Sequence, residues 1–270
     1  MGIVNATPDS FSQDGCLVKH QGARNWAVHF ARKHIKDGAN IIDIGGESTR
    51  PGARRISAKE EIGRVLPIIL SLAKTAKIPI SIDTYKPIVA KAALDAGASI
   101  VNNIMGTNPN ASLLKMVKNY NAAIVLMHIK GTPRTMQKNI HYDKLTDEII
   151  SSLKKSIEKC LEIGIKLDRI IIDPGIGFGK TVEHNLEILN RLGDFKRLGR
   201  PLLVGTSRKS FIGKVIGRDV HHRLIGTAVT VCASVLHGAH IVRVHDVKAI
   251  KEAVTMTDAI INEHYTERSS

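Results

Sequence analysis

Short apolar runs alternate with longer amphipathic stretches along the whole of this chain. The runs fall at residues 2–5, 40–44, 78–83, 99–104, 122–128, 169–173, 201–205 and 239–244. The helical stretches that follow them are 21–37, 58–76, 87–96, 111–119, 143–163, 182–192, one starting near 221, and 247–263. Gly38, Gly97 and Gly164 sit where three of these helices should stop. Ser57-Ala58-Lys59-Glu60 reads as a capping box that opens the second. Strict alternation requires parallel strands joined by right-handed crossovers. Eight such units in about 260 residues predict an α/β fold, a closed (β/α)8 TIM barrel whose working face is the C-terminal ends of the strands. A doubly wound open sheet is the rival, but it uses fewer strands and nothing here marks a change of domain. One barrel domain is expected over residues 1–265, with a polar tail at 266–270.

Residues 170–180 read Ile-Ile-Ile-Asp-Pro-Gly-Ile-Gly-Phe-Gly-Lys. The three isoleucines are a buried strand. Pro174 ends it, because proline cannot serve a central ladder. Three glycines then allow the backbone to approach a ligand closely. Every other strand also ends in polar or chargeable residues: Asn5, then residues 47–50, Asp83, Asn102, His128 after Met127, residues 207–209 and residues 243–246. Caps and turns explain any one of these. They do not explain Asp83 and Asp173, flanked by apolar residues, because a buried carboxylate needs a partner.

Asp83, Asn102, Asp173 and Lys209 form a deep polar set suited to a flat heterocycle rich in hydrogen-bonding groups. Taken alone, Lys209 is equally an exposed loop lysine. Arg50, Arg243 and His245, with Asn5, form a second set, mostly cationic and suited to a phosphate or pyrophosphate. Asn5 could also hold Mg2+, which favours oxygen ligands shared with substrate phosphates. A heterocycle pocket beside an anion pocket suggests a substrate that carries a leaving pyrophosphate.

Other readings fail on particular residues. Gly179-Lys180-Thr181 ends like a phosphate-binding loop, but Pro174 stands where the first glycine belongs. Gly175 and Gly177 begin like a dinucleotide fingerprint, but Lys180 replaces the third glycine. Cys16, Cys160 and Cys232 lack metal spacing and read as free thiols of a cytoplasmic protein. The net charge of +14 raises nucleic acid as a partner; dispersed basic residues and only 4% aromatics argue against it. No apolar run approaches a membrane span.

In that combination and order, the sequence closely resembles the dihydropteroate synthases. The resemblance is carried by residues 2–11 (Gly-Ile-Val-Asn-Ala-Thr-Pro-Asp-Ser-Phe), 45–52 (Gly-Gly-Glu-Ser-Thr-Arg-Pro-Gly), 81–85, 127–133, 170–180, 207–210 (Ser-Arg-Lys-Ser) and 243–246 (Arg-Val-His-Asp). It implies the barrel fold and the condensation of 7,8-dihydropterin-6-ylmethyl diphosphate with 4-aminobenzoate. Asp83, Asn102, Asp173 and Lys209 would hold the pterin, with Met127 and Phe178 beside the ring. Asn5, Arg243 and His245 would hold the diphosphate, with Mg2+ near Asn5. Thr49, Arg50, Pro51 and Ser210 would place the 4-aminobenzoate, a first loop at residues 7–15 would close over the site, and sulfonamides would compete there. Asp83, Lys209, Arg50 and Thr49 would bear most directly on the chemistry.

The resemblance also implies a homodimer, for which the small apolar stretch 227–236 is the candidate face. Asn103 departs from the family, which usually has aspartate there, and Cys16 alters the first loop. The family usually carries residues ahead of the first strand, often a small hairpin, so a trimmed chain and a start upstream of Met1 are both open. A pterin-binding methyltransferase domain would share the carboxylates but has no use for a diphosphate site. A silent pterin-binding homologue would keep the pocket without turnover.

Overall fold

The computed structural model describes residues 1–7, 20–48 and 53–263. Most of the first loop with Cys16, the segment holding Thr49, Arg50 and Pro51, and the tail 266–270 lie outside the described residues. Strands β1 (Gly2–Asn5), β2 (Ile42–Gly45), β3 (Ile80–Asp83), β4 (Ile100–Asn103), β5 (Ala123–Met127) and β6 (Ile170–Asp173) form one parallel sheet in chain order. β7 (Leu203–Val204) pairs in parallel with β8 (Ile241–Val242). Two parallel bridges, Ile172 to Leu202 and Gly2 to Val244, join this pair to both edges of the six-stranded sheet. The amide of Ile3 donates to the Val244 carbonyl (3.0 Å), and that of Ile172 donates to Pro201 (3.0 Å). The sheet is thus closed into the expected (β/α)8 barrel, which leaves no strand edge to protect.

Closure gives the period-two alternation two meanings. Ile42, Ile44, Ile80, Ile82, Ile124, Leu126, Ile170 and Ile172 face outward and form the main core with the helices. Ile100, Val125, Ile171 and Leu203 face inward and plug the barrel. The strands are therefore almost uniformly apolar, as parallel strands buried on both faces must be. The exceptions are Asp43 and Ser81 within β2 and β3, and polar residues at the C-terminal ends of the strands.

The helices are α1 (His20–Lys36), α2 (Ala58–Ala73), α3 (Pro87–Asp95), α4 (Ala111–Asn119), α5 (Leu145–Ile163), α6 (Val182–Asn190), α7 (Ser210–Ile216), α8 (Leu224–Leu236) and α9 (Val247–Asn262). Ser57 caps α2 through the Glu60 amide (3.1 Å), but the Glu60 carboxylate binds Arg64 (2.7 Å) and leaves the box half made. The sequence reading missed α7. That helix is only seven residues long and ends at Gly217 (φ 66°), too short for a periodic signal. The helix expected to start near 221 is α8, which begins at Leu224 after a 3-10 turn, Val220–His222, capped by Asp219.

Candidate functional site

The last inward residues of β1, β3, β4, β5 and β6 are Asn5, Asp83, Asn102, Met127 and Asp173; Gly205 and Arg243 follow β7 and β8. All line one cavity of about 770 Å³, together with Phe178, Ser207, Lys209, Ser210 and His245. Asn5, Asp83, Asn102, Asp173, Arg243 and His245 therefore meet at one barrel mouth. Met127 packs with Ile104, Ile129 and Met136, and Phe178 leans on that cluster, giving the cavity an apolar wall.

The floor is a charge cluster. The Arg243 guanidinium donates through Nε to Asp43 Oδ2 (2.6 Å) and through Nη2 to Asp83 Oδ2 (2.8 Å). The Asn102 amide donates to the same Asp43 oxygen (3.0 Å). Burial opposes the charge on Arg243, yet the two carboxylates outweigh it and hold its pKa above the ordinary value. Burial pushes the Asp83 pKa up to about 7; Arg243 lowers it, while Asp43, Glu61 and Glu47 raise it. Two carboxylates share one cation here, so burial and the neighbouring carboxylates favour a proton on Asp83. This corrects the division into a deep polar set and a separate, mostly cationic set, because Arg243 is bonded directly to Asp83 and to its neighbour Asp43.

The glycine loop after β6 forms the second wall. Gly175, Gly177 and Gly179 take φ values of 71°, 80° and 67°. A Cβ on Gly175 would lie 1.8 Å from the His128 carbonyl oxygen, so glycine is required there. Successive carbonyls of the loop are all taken. Gly175 accepts from the Phe178 amide, Ile176 from Lys209 Nζ, Gly177 from Gln137, Phe178 from Lys180 and Gly179 from the Tyr142 hydroxyl. Asp173 Oδ1 accepts from the Gly175 amide (2.7 Å). Burial raises the Asp173 pKa, with Lys209 and that amide acting against it. Lys209 sits 4.7 Å from the Phe178 ring centre. Burial lowers its pKa to about 8, partly offset by Asp173.

The third wall is set by α8 and α9. Arg208 has a positive φ of 58°, and its guanidinium is held by the Asp246 carboxylate. Its amide donates to Thr227 Oγ1 (3.1 Å) and its carbonyl accepts from Arg223 (3.1 Å). This turn aims Lys209 into the cavity. Ser207 Oγ accepts from the His245 amide (3.1 Å) and lies 3.0 Å from His245 Nδ1. Burial, then Arg243 and Arg208, push the His245 pKa down to about 3, so the ring is uncharged at neutral pH. This is a second correction to the reading of that set as mostly cationic.

Ser210 is exposed at the start of α7, on the cavity rim. Thr49, Arg50 and Pro51 lie outside the described residues. Asn103 is buried, and its Oδ1 caps the Met105 amide (3.0 Å), a bond that an aspartate could make equally well. Sequence reasoning missed Asp43, Lys180 and Ser207. Asp43, between Ile42 and Ile44, met the same criterion that singled out Asp83, but it lies within a run and not at its end.

Metal fit is judged by the donors. Among the described residues no three His, Cys, Asp or Glu side chains form a metal cage. A Cβ placed on Gly45 would lie 3.8 Å from Asn5 Oδ1 and 3.6 Å from Asp83 Oδ2, so an amide oxygen and a carboxyl oxygen share one corner. That suits Mg2+ held by few protein oxygens, with waters and substrate phosphates completing its shell.

A family profile described as pterin binding enzyme matches residues 1–245. The dihydropteroate synthase of Synechocystis sp. is 46% identical, covering 96% of this chain and 89% of the relative. That of Escherichia coli K12 is 40% identical, covering 99% and 93%. The Yersinia pestis dihydropteroate synthase in a sulfonamide complex superposes with a TM-score of 0.90 at 38% identity, covering 97% and 94%. The Xanthomonas albilineans enzyme in complex with 7,8-dihydropteroate gives 0.86 at 35%, covering 97% and 92%.

Proposed function

The chain belongs to the pterin-binding enzyme family, and from that premise we propose that it is a transferase joining 7,8-dihydropterin-6-ylmethyl diphosphate to 4-aminobenzoate. The products are 7,8-dihydropteroate and pyrophosphate. The observation that carries the reading is the convergence of two buried carboxylates, an amide and two cations at one barrel mouth, beside an apolar wall.

Asp173 accepts from the amino edge of the pterin and Asn102 meets its lactam. Lys209 turns from the Ile176 carbonyl to donate to the ring. Met127 and Phe178 bracket the ring's flat faces and edge. The diphosphate is held by Asn5, by the guanidinium donors of Arg243 that the carboxylates leave free, and by His245. Phosphate beside His245 favours its protonation, so the neutral ring gains charge as the substrate arrives. Asn5 would hold Mg2+, which would supply charge neutralisation for the leaving group.

Bond breaking separates charge. The C–O electron pair leaves with pyrophosphate, and the methylene carbon shares a positive charge with the pterin ring. Asp83, ionised, stabilises that charge at close range in a low-dielectric cavity. The amine nitrogen of 4-aminobenzoate then forms the C–N bond and loses a proton. A neutral arylamine needs no strong base, so the attack requires no His/Ser dyad. Ser210, with Thr49, Arg50 and Pro51, places the 4-aminobenzoate, and a sulfonamide competes at that subsite.

We propose further that the protein acts in the cytoplasm as a homodimer. Ile225, Val229 and Leu236 on α8, with Met256 and Ile260 on α9, form an apolar face that stays exposed (79% for Ile225), which supports pairing of two copies. Cys160 and Cys232 are free thiols. The activity is tested by incubating the protein with the dihydropterin diphosphate, Mg2+ and labelled 4-aminobenzoate. Label should appear in dihydropteroate and fall when a sulfonamide is added. Absence of labelled product would refute the reading.

A further inference from the structure

Lys180 has no part in the chemistry above, yet it is only 3% exposed. Its ammonium lies behind the glycine loop, 3.0 Å from the Phe178 carbonyl oxygen and 3.0 Å from His128 Nδ1. An ammonium can only donate, so His128 is a neutral ring with its proton on Nε2. Burial and the neighbouring Lys180 charge hold the His128 pKa far below the imidazole range, in agreement. Lys180 and Asp173 flank the same glycine. A Cβ on Gly175 would lie 3.4 Å from Lys180 Nζ, and the Gly175 amide donates to Asp173 Oδ1. Asp173 is the chief electrostatic support of the Lys180 charge, as it is of the Lys209 charge.

Burial alone favours the protonated form of Asp173, whose carboxylic acid would offer one acceptor fewer and an O–H facing the pterin amino group. In the free protein three cations, Lys209, Lys180 and Arg243, oppose this. Lys209 redirects its donors to substrate, while Lys180, whose own pKa burial lowers to about 7, stays behind Gly175 and in its protonated form adds its charge to that of Arg243. We propose that Lys180 is a positioning residue of the pterin subsite: it fixes the Phe178 segment from behind and keeps Asp173 ionised as an acceptor. The inference rests on the pterin-site reading given above.

Two substitutions separate charge from support. Lys180→Gln keeps a donor for the Phe178 carbonyl without the charge, and Lys180→Met removes both. The probe is 6-hydroxymethylpterin, which carries no diphosphate, titrated calorimetrically, together with KM for each substrate and the melting temperature. Lys180→Gln should fold and bind the pterin about tenfold more weakly, the scale of one lost charge-assisted interaction. KM for 4-aminobenzoate should stay within about twofold of the original, since Lys180 bonds to Phe178 and His128, neither of them assigned to that subsite. Lys180→Met should weaken pterin binding at least as much. Unchanged pterin affinity in Lys180→Gln would overturn the proposal. So would an equal loss for both substrates, or failure of both variants to fold, since each makes Lys180 a strut only. If the unsubstituted protein does not bind the probe, the pterin-site reading itself falls, and this inference with it.

Discussion

Replacing Asp83 by asparagine removes one charge and almost no volume. In the native cluster Arg243 donates to Asp43 over 2.6 Å and to Asp83 over 2.8 Å. Asparagine leaves the Arg243–Asp43 pair intact and still offers an amide oxygen to Nη2. The stability cost therefore falls well below the roughly 3–5 kcal/mol that follows when a buried charge loses its sole partner. About 1 kcal/mol corresponds to a Tm shift of about 2–4 °C in a chain of this size. The chemical cost is larger in the proposed mechanism, which sets the substituted group against the positive charge that develops on the pterin. Losing one preorganised stabilising group of this kind costs about 3–4 kcal/mol, a fall in kcat of about 10²–10³-fold. Steady-state pyrophosphate release measures it, with pterin affinity and Tm taken alongside. An unchanged kcat in a folded variant would remove Asp83 from the chemistry. A collapse in Tm would show that Asp43 alone cannot hold Arg243, so the cluster would be a structural element.

The proposed mechanism requires Asp83 ionised and Lys209 protonated, with pKa values shifted to about 7 and about 8, so it predicts a bell-shaped kcat/KM for the pterin substrate with its maximum between them. A monotonic profile would contradict that pairing. The linked effect on folding has a definite sign. The raised Asp83 pKa lets the native state hold a proton that the unfolded chain has lost above its ordinary value of 3.8, so this group's contribution to stability falls as pH rises from there to about 7. Denaturant unfolding of Asp83→Asn across that window should show a flatter pH dependence than the parent protein. Lys209→Ala should weaken pterin binding by about tenfold or more, as for a lost charge-assisted donor; calorimetry showing unaltered affinity would count against its place in the site. Val229→Glu, on a side chain 63% exposed, should leave the fold intact and shift the protein to monomer in light scattering. An unchanged mass would place any dimer face elsewhere.

Barrel architecture was legible because alternation survives in a single sequence. Ile-Ile-Asp at 41–43 and Ile-Ile-Ile at 170–172 cannot be surface strands, and helices between them force parallel pairing. The deep residues Asp83, Asn102 and Asp173 were legible because polar groups interrupt apolar runs where they end. The partnership of Arg243 with Asp43 was not, since it joins residues 200 apart in sequence and depends on where barrel closure sets β8 against β1 and β2. Lys180 was hidden differently. It sits where a failed phosphate-loop match had drawn attention, and only the folded loop shows its ammonium turned inward under Phe178. His245 reads as a cation in sequence and becomes neutral only through burial beside Arg243 and Arg208. Helix α7 was missed because seven residues hold less than two turns of hydrophobic period.

Pyrophosphate release tests the central claim, that this barrel mouth is a condensing site and not only a pterin pocket. Purified protein is given the dihydropterin diphosphate, Mg2+ and 4-aminobenzoate, and release is followed continuously against a calorimetric measure of pterin binding. Sustained, saturable release that depends on both substrates and is nearly abolished in Asp83→Asn is the expected result. Tight pterin binding without release would contradict it and would mark the protein as a silent pterin binder.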